Sequence, residues 1–329
     1  MNTLRVVEPG ALASVQDLGR SGWASSGVPK GGAADVLSLR IGNRLIGNGD
    51  GEAAIELTMS GGRFLFEEPA LVCIAGAALP EAFMRRGEAT RTLGSWTPTL
   101  VDGGCELNLG VMRGGARSYL CIAGGVRTQM QLGSRSTLIV GGKSILGRVL
   151  RGGESITIGR LTPGLRVGSL DSHARKTTTA GIGRRTIRVV PAGREESFGE
   201  DDRRRLADEP WRVSPQSNRS GLRLESDGKS LQGGRQIRSR PVVPGSIQVP
   251  PDGQPIVLGV DGPVTGGYPV IACAIEADQP ALGQIRPGEA VRFQWVEREE
   301  AWTLFRDQER LIARVRTGRA ELPIEHHDE

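Results

Sequence analysis

Apolar and polar positions alternate in short runs along most of this chain, the period of half-buried β-strands. The runs predict strands over 3–8, 53–58, 63–66, 70–75, 105–111, 117–123, 136–140 and 154–158, with glycine pairs such as Gly61-Gly62, Gly103-Gly104, Gly114-Gly115 and Gly152-Gly153 between them. A helical period appears at about 33–46, where Leu37, Ile41, Arg44 and Leu45 share one face. Asp35 sits in its first turn, where a carboxylate suits the helix dipole, and Gly47-Asn48-Gly49 ends it. A polar, small-residue stretch over 168–184 reads as a linker. A clear strand follows at 186–190, stopped by Pro191, then a short helix near 200–208 and a return to strands.

This pattern predicts a mostly β protein with a few short helices. A β-rich module over 1–167 leads through the linker 168–184 to a second β-barrel module over 185–318, and an acidic tail over 319–329 is expected to fray. An internal similarity supports two related barrel-like modules. LRGGESITI (150–158) matches IRPGEAVRF (285–293), and YLCIAGGV (119–126) matches PIVLGVDG (255–262), which suggests duplication of a β-unit.

Length and composition fit that division. At 329 residues the chain suits two domains, and 24% charged with 38% hydrophobic residues excludes a disordered polymer. Gly supplies 48 residues without a Gly-X-Y period, consistent with many turns. The net charge of +5 is spread along the chain, so it makes no concentrated nucleic-acid face. Cys73, Cys105, Cys121 and Cys273 form no C-x-x-C pair and read as buried reduced thiols. Residues 1–9 show no signal-peptide stretch and no window reaches about 18 uninterrupted apolar residues. A cytoplasmic protein is expected.

The chemistry available is narrow. There is no P-loop and no strand–G-x-G-x-x-G–helix unit. The three histidines, His173, His326 and His327, lie in the linker and tail, away from any triad or metal-ligand spacing, so no metal site is expected. Carboxylates, arginines, amides, hydroxyls and backbone N–H groups must do the work. Four loops concentrate them. The first holds Asp17 and Arg20 among glycines, either as a local turn bridge or as a way to present Arg20 to an anion. The second, with Ser134, Arg135 and Ser136, suits a carboxylate or phosphate, or else an arginine satisfying loop carbonyls. The third, 243–255, holds Gln248, Asp252 and Gln254 among four prolines, beyond the needs of a plain hairpin. In the fourth, Asp261 leaves an apolar strand before Thr265, Gly266, Gly267 and Tyr268. Asp261 is the leading candidate for a general base or ligand-orienting carboxylate, with a strand-end cap as the alternative.

The same loops carry a family resemblance. EPGALASVQDLGRSGWASSGVPKGGAADVLSLRIGNRLIGN (8–48), the LCIAGGV…LGSRST run (120–137) and VVPGSIQVPPDGQPIVL…DGPVTGGYP (242–269) resemble the allophanate hydrolase subunit 2 family. That family is also described as biotin-dependent carboxyltransferase-like and as the C subunit of bacterial 5-oxoprolinase. The resemblance implies cyclophilin-like β-barrel modules and a partner of the allophanate hydrolase subunit 1 or 5-oxoprolinase B-subunit type, with a lactam-hydrolase-type third subunit. The leading function it implies is ATP-dependent opening of a 5-oxoproline-like cyclic amide. The alternatives are transfer of a carboxyl group from carboxybiotin to urea or a similar amide, and a non-catalytic regulator antagonising a kinase inhibitor. ATP is implied as a cofactor; no Met-Lys-Met site is present, so biotin would arrive on another protein.

The expected catalytic residues are Asp261, Asp252 and Arg135. The expected substrate contacts are Asp17, Arg20, Ser134, Ser136, Gln248, Gln254, Thr265, Gly266, Gly267 and Tyr268, with Gln248, Gln254 and the Gly266-Gly267 amides offered to a developing oxyanion and Arg135 to a carboxylate. The chain departs from the family pattern at Pro263 and Val264, where a Gln and a Thr are usual, and at Ala34, where Met is common.

Overall fold

The computed structural model describes residues 2–161, 165–192, 198–226, 230–232 and 236–321, with backbone alone over 316–321. It is mostly β, as the alternation predicts. The first half forms two antiparallel sheets. One has six strands in the order Ser155–Ile158, Asn2–Glu8, Arg63–Phe66, Cys105–Asn108, Phe83–Arg86 and Ala89–Thr92. The other has five, in the order Leu12–Gln16, Ala54–Thr58, Arg113–Ile122, Ala70–Ala78 and Thr99–Val101. Leu4, Val6, Phe64 and Phe66 alternate inward from the first sheet, while Leu71–Ala75 and Tyr119–Ile122 are buried almost throughout because their strands are covered on both faces.

The second half closes a seven-stranded barrel in the order Thr186–Pro191, Val270–Ala274, Ser246–Gln248, Ile256–Leu258, Gly221–Glu225, Trp211–Val213 and Ala290–Trp295. The seam is a parallel pair, Ile187 opposite Phe293, and the interior is filled by Ile187, Val189, Trp211, Val213, Ile247, Val257 and Phe293. Closure leaves the seven-stranded sheet itself without a free edge among the described residues. The two segments matched as an internal repeat differ in pairing. Ser155–Ile158 runs antiparallel to the first strand of its module, whereas Ala290–Trp295 runs parallel to the first strand of the barrel.

Helix α1 (Val36–Leu45) covers the five-stranded sheet with Leu39, Ile41 and Leu45. Asp35, expected inside its first turn, is its N-cap instead and accepts a bond from Ser38 N at 2.9 Å. The segment expected as linker is ordered: Arg166–Ser169 is a strand, and helix α2 (Ser172–Ile182) follows, capped by Asp171. Its threonines return hydroxyl bonds to carbonyls four residues back (Thr178 Oγ1 to Ala174 O, 2.9 Å), so these polar groups are satisfied within the helix itself. Helix α3 (Glu200–Asp208) lies where expected.

The return to strands beyond it is interrupted by α4 (Gln279–Gln284) and by the sixteen-residue α5 (Arg298–Ala313). Leu304, Leu311 and Ile312 of α5 keep the helical spacing. Ile312 and Val315 join the first core, and strand Arg316–Glu321 pairs with Arg166–Ser169. The chain therefore returns to its first half, and 319–321 belong to a strand rather than a frayed tail; 322–329 lie outside the described residues. No helix among the described residues is long and apolar enough to cross a membrane.

Cys73 and Cys121 face each other across neighbouring strands under α1, fully buried and unbridged, and burial pushes the Cys73 thiol up to about 12. Above them Gly42 lets α1 approach closely, since a Cβ there would lie 2.7 Å from Cys121 Sγ and 2.8 Å from Ala75 Cβ. Gly42→Ala is expected to lower stability by about 1–2 kcal/mol, overpacking outweighing the gain in helix propensity. A urea midpoint equal to or above that of the parent would contradict this account of the helix–sheet contact.

Candidate functional site

The two cores meet across buried charge. Arg219, in the turn before strand Gly221–Glu225, reaches out of the barrel with its side chain 3% exposed. It donates from Nε to Asp261 Oδ2 at 2.7 Å, from Nη2 to Asp261 Oδ1 at 3.0 Å and to Gly32 O at 2.6 Å, and from Nη1 to Glu56 Oε1 at 2.5 Å. Glu56 lies mid-strand in the five-stranded sheet, fully buried. Its Oε2 accepts from Tyr119 Oη at 2.8 Å and from Ala34 N at 2.9 Å, and Arg117 Nε stands 3.4 Å from Oε1. Tyr119 Oη in turn accepts from Asp35 N at 2.8 Å. Asp35 Oδ2 accepts from Gln284 Nε2 at 2.6 Å, and the Gln284 amide grips the Arg117 backbone, N to Oε1 and Nε2 to O, each at 3.0 Å.

Electrostatics follow from this wiring. Burial alone would raise the Glu56 carboxyl, but Arg219 and Arg117 overturn it and hold the group below its usual range. Burial likewise works against the Arg219 charge, and Glu56 and Asp261 more than restore it. Asp35, with only neutral donors, is pushed up by burial, and Tyr119 is driven up by burial and the Glu56 charge.

In front of Arg219 and Arg117 opens a cleft of 890 Å³ between the two halves. Its wall includes Arg117, Asn218, Arg219 and Leu222, the strand ends around Thr58 and Met59, and the hairpin Leu138–Val140/Lys143–Leu146, which carries Lys143, with Arg148 and Arg151 beyond it. The hairpin base is tied to the buried charges by Ile139 N, which donates to Asp261 Oδ2 at 3.1 Å. Arg117 Nε is buried and has no bond of good geometry. Asn218, in the same wall, accepts from Ser220 N with Oδ1 at 2.8 Å. Arg117 and Arg219 give this wall a fixed positive potential, although Arg117 Nη1 is bonded to Gly283 O and the Arg219 nitrogens to Asp261, Glu56 and Gly32 O.

The residues singled out from sequence divide among three places. Asp17 is a bracket: Oδ1 accepts from Ser134 Oγ at 2.6 Å, Ser136 Oγ at 2.5 Å and Gly19 N at 2.8 Å, and Oδ2 from Arg135 N at 2.7 Å. Both hydroxyls are consumed there, and the Arg135 guanidinium turns to the Thr128 carbonyl. Arg20 donates to Ser136 O and lies between the charges of Asp17 and Asp261, with Nε and Nη1 unbonded. Asp261 joins this bracket to Arg219, and its oxygens are engaged by Arg219 and Ile139 N, so it orients a cation and is not a free base.

Gln248 is buried against Gly266, where a Cβ would come 2.1 Å from Gln248 Nε2. Thr265 and Gly266 pair with Arg240–Pro241, and Gly267 O accepts from Ile237 N at 2.9 Å. Asp252, Gln254 and Tyr268 line a separate depression of 530 Å³ on the barrel, where Asp252 Oδ1 caps its own turn by accepting from Gln254 N at 3.0 Å. Asp252 and Asp261 thus occupy different sites.

None of the thirteen candidates lines the large cleft; Arg117, Asn218 and Arg219, which do, and Glu56, buried behind them, are not among the thirteen. One signal was available. Glu56 is the lone charge in its strand sequence (Ala54–Thr58), which a buried partner must explain, whereas Arg117 shares its strand with Arg113 and carries no such mark. Arg219 carries no such mark, its partners lying 42 and 163 residues away.

Residues 26–295 match the family model described as carboxyltransferase domain, subdomain A and B. The chain is 35% identical to the C subunit of 5-oxoprolinase from Escherichia coli (strain K12), spanning 95% of this chain and 97% of that protein. It is 30% identical to the urea amidolyase of Lachancea kluyveri over 96% of this chain, which is 18% of that protein. The crystal structure of Kluyveromyces lactis urea carboxylase superposes on 97% of this chain and 30% of that one, with a TM-score of 0.82 at 28% identity.

Removing the Arg219 charge would strand Glu56 and Asp261. Arg219→Met should cost about 3–5 kcal/mol of stability, since an unpaired buried charge is dearer than the pair is valuable. A loss under about 1 kcal/mol in denaturant titration would refute the hub. The two shifted carboxyls act oppositely with pH. Glu56, lowered on folding, stabilises above its ordinary value of 4.5 and loses that as pH falls through the folded value. Asp35, raised on folding, stabilises below its ordinary value of 3.8 and loses that as pH rises through the folded value. Asp35→Asn should therefore flatten the decline of the urea midpoint on the upper side while leaving the acid limb. An unaltered upper limb counts against a raised Asp35.

Proposed function

The chain belongs to the carboxyltransferase-domain family, and on that premise we propose that it is the component of a 5-oxoprolinase-type complex whose interfacial cleft holds a cyclic amide during ATP-dependent ring opening. The observation that carries this reading is the match with the 5-oxoprolinase C subunit over nearly the whole of both chains, joined to a cleft whose inner wall carries Arg117, Asn218 and Arg219. Arg117 and the Asn218 amide would face the lactam oxygen. Arg219, fixed by Glu56 and Asp261, supplies a positive potential that needs no rearrangement as charge develops. ATP hydrolysis supplies the driving force when ATP is bound. The acid–base groups that the chemistry needs would come from a partner of the 5-oxoprolinase B-subunit type and from a lactam-hydrolase-type subunit.

A second reading, carboxyl transfer from a carboxybiotin carried by another protein to a urea-like nitrogen, is favoured by the superposition on urea carboxylase. The same oxyanion wall would serve it.

Co-expression with the two partner types and assay of 5-oxoproline-dependent ATP turnover separates these readings. In the first, Arg117→Ala should lower kcat about 100-fold, the usual scale for an oxyanion donor, and Asp252→Ala should stay within about twofold. Turnover indifferent to Arg117→Ala removes the cleft from the reaction. Carboxyl exchange with carboxybiotin and urea, without lactam turnover, replaces the first reading by the second.

A further inference from the structure

A second cavity lies where helices of both halves meet. It measures 180 Å³, shares no lining residue with the large cleft, and is walled by α1, α2, α4 and α5. Leu37 comes from α1, Ile182 from α2, Ala281 from α4, and Leu304 and Leu311 from α5, so much of the wall is apolar. Thr177 and Thr178 also line it, but their hydroxyls donate back to His173 O and Ala174 O within α2, each at 2.9 Å.

The charge on this wall does not cancel. Arg184 and Arg188 both line it, and both bind one carboxylate, the fully buried Asp278. Arg184 Nη1 donates to Asp278 Oδ1 at 2.8 Å, while Arg188 donates from Nη2 to the same Oδ1 at 2.5 Å and from Nε to Oδ2 at 2.9 Å. Sharing that oxygen sets the two guanidinium groups side by side. Arg184 Nε and Nη2 and Arg188 Nη1 make no bond among the described residues, and the Arg184 side chain is 38% exposed. Asp307, another carboxylate of the wall, is held by Arg310 at 2.8 Å. Asp35 is the third, and burial pushes it toward its neutral form. Two cations thus share one carboxylate beside an apolar space.

We infer that this cavity binds a small apolar monocarboxylate, its carboxylate on the free nitrogens of Arg184 and Arg188 and its hydrocarbon among Leu37, Ile182, Ala281, Leu304 and Leu311. One negative charge matches the excess, and planar guanidinium donors suit a carboxylate. Pockets for drug-sized ligands start at roughly 300 Å³, so this one admits only a short chain or a single ring. The wall is drawn from α1 of the first half and from the barrel's Arg188, Asp278 and Ala281, so an occupant braces the two halves against each other. The inference does not depend on the reaction assigned to the cleft.

Calorimetry on the purified chain at neutral pH tests it without partner or turnover, with hexanoate, benzoate, acetate, hexan-1-ol and hexylamine as probes. Hexanoate or benzoate should bind at least about tenfold more tightly than acetate, which lacks the tail, and than hexan-1-ol, which lacks the charge. Arg184→Gln should weaken the acid about tenfold while sparing the alcohol, a split that damaged folding cannot imitate, and Arg184→Lys should recover part of the loss. Ala281→Leu, which fills the cavity, should remove both, and Arg204→Ala on helix α3 should change neither. Acetate or hexylamine binding as tightly as hexanoate overturns the inference. So does full acid affinity in Arg184→Gln, or in a folded Ala281→Leu protein.

Discussion

One guanidinium holds the two halves in register. Arg219 leaves the barrel, enters the first core and is met there by Glu56 and Asp261, both fully buried. Such a group cannot be left half-paired in a low-dielectric interior, because each charge would lose far more solvation than it recovers. The position of Glu56 in its sheet, of the Gly32 carbonyl and of the hairpin base at Ile139 are therefore set together. The cleft is the space that remains in front of this joint, and its shape follows from the joint.

The joint also explains why charge is graded along the cleft. Cations near the barrel seam are already spoken for, so they act through fixed potential. Lys143 on the hairpin and Arg151 in the turn before Ser155–Ile158 are exposed and have no ion-pair partner among the described residues.

Much of the fold was legible in the chain. The strand Arg63–Phe66 falls on its alternation, and Thr186–Pro191 and the region of α1 lie within a few residues of expectation. Segment 168–184 was not, because polar residues and glycines hide a helix that caps itself with Asp171 and with threonine hydroxyls bonded to its own carbonyls. Helix α5 carried the right spacing but lay among strands. The candidate site was less legible. Motif loops rich in Gly, Pro and Asp mark where the backbone must turn, and most of their polar groups satisfy each other, as Asp17 does with Ser134 and Ser136. The groups that face the cleft come from a strand interior and from a turn whose partners are remote in sequence, and only the lone Glu56 charge in the neighbouring strand hints at them.

The strand Arg113–Ile122 loses step with Ala70–Ala78 between Arg113 and Ser118, where Gly76 adopts a φ of 115°. The Arg117 peptide is left there without a neighbouring strand on that side, and a side-chain amide from α4 stands in for one. Gln284 thus acts as a borrowed rung of the ladder. If the halves part, that rung leaves with the barrel and a bare strand edge appears in the other half, ready to pair with another chain. Cooperative unfolding of the whole chain and resistance to self-association are therefore tied to the same amide, and an isolated first half would be prone to stick to copies of itself.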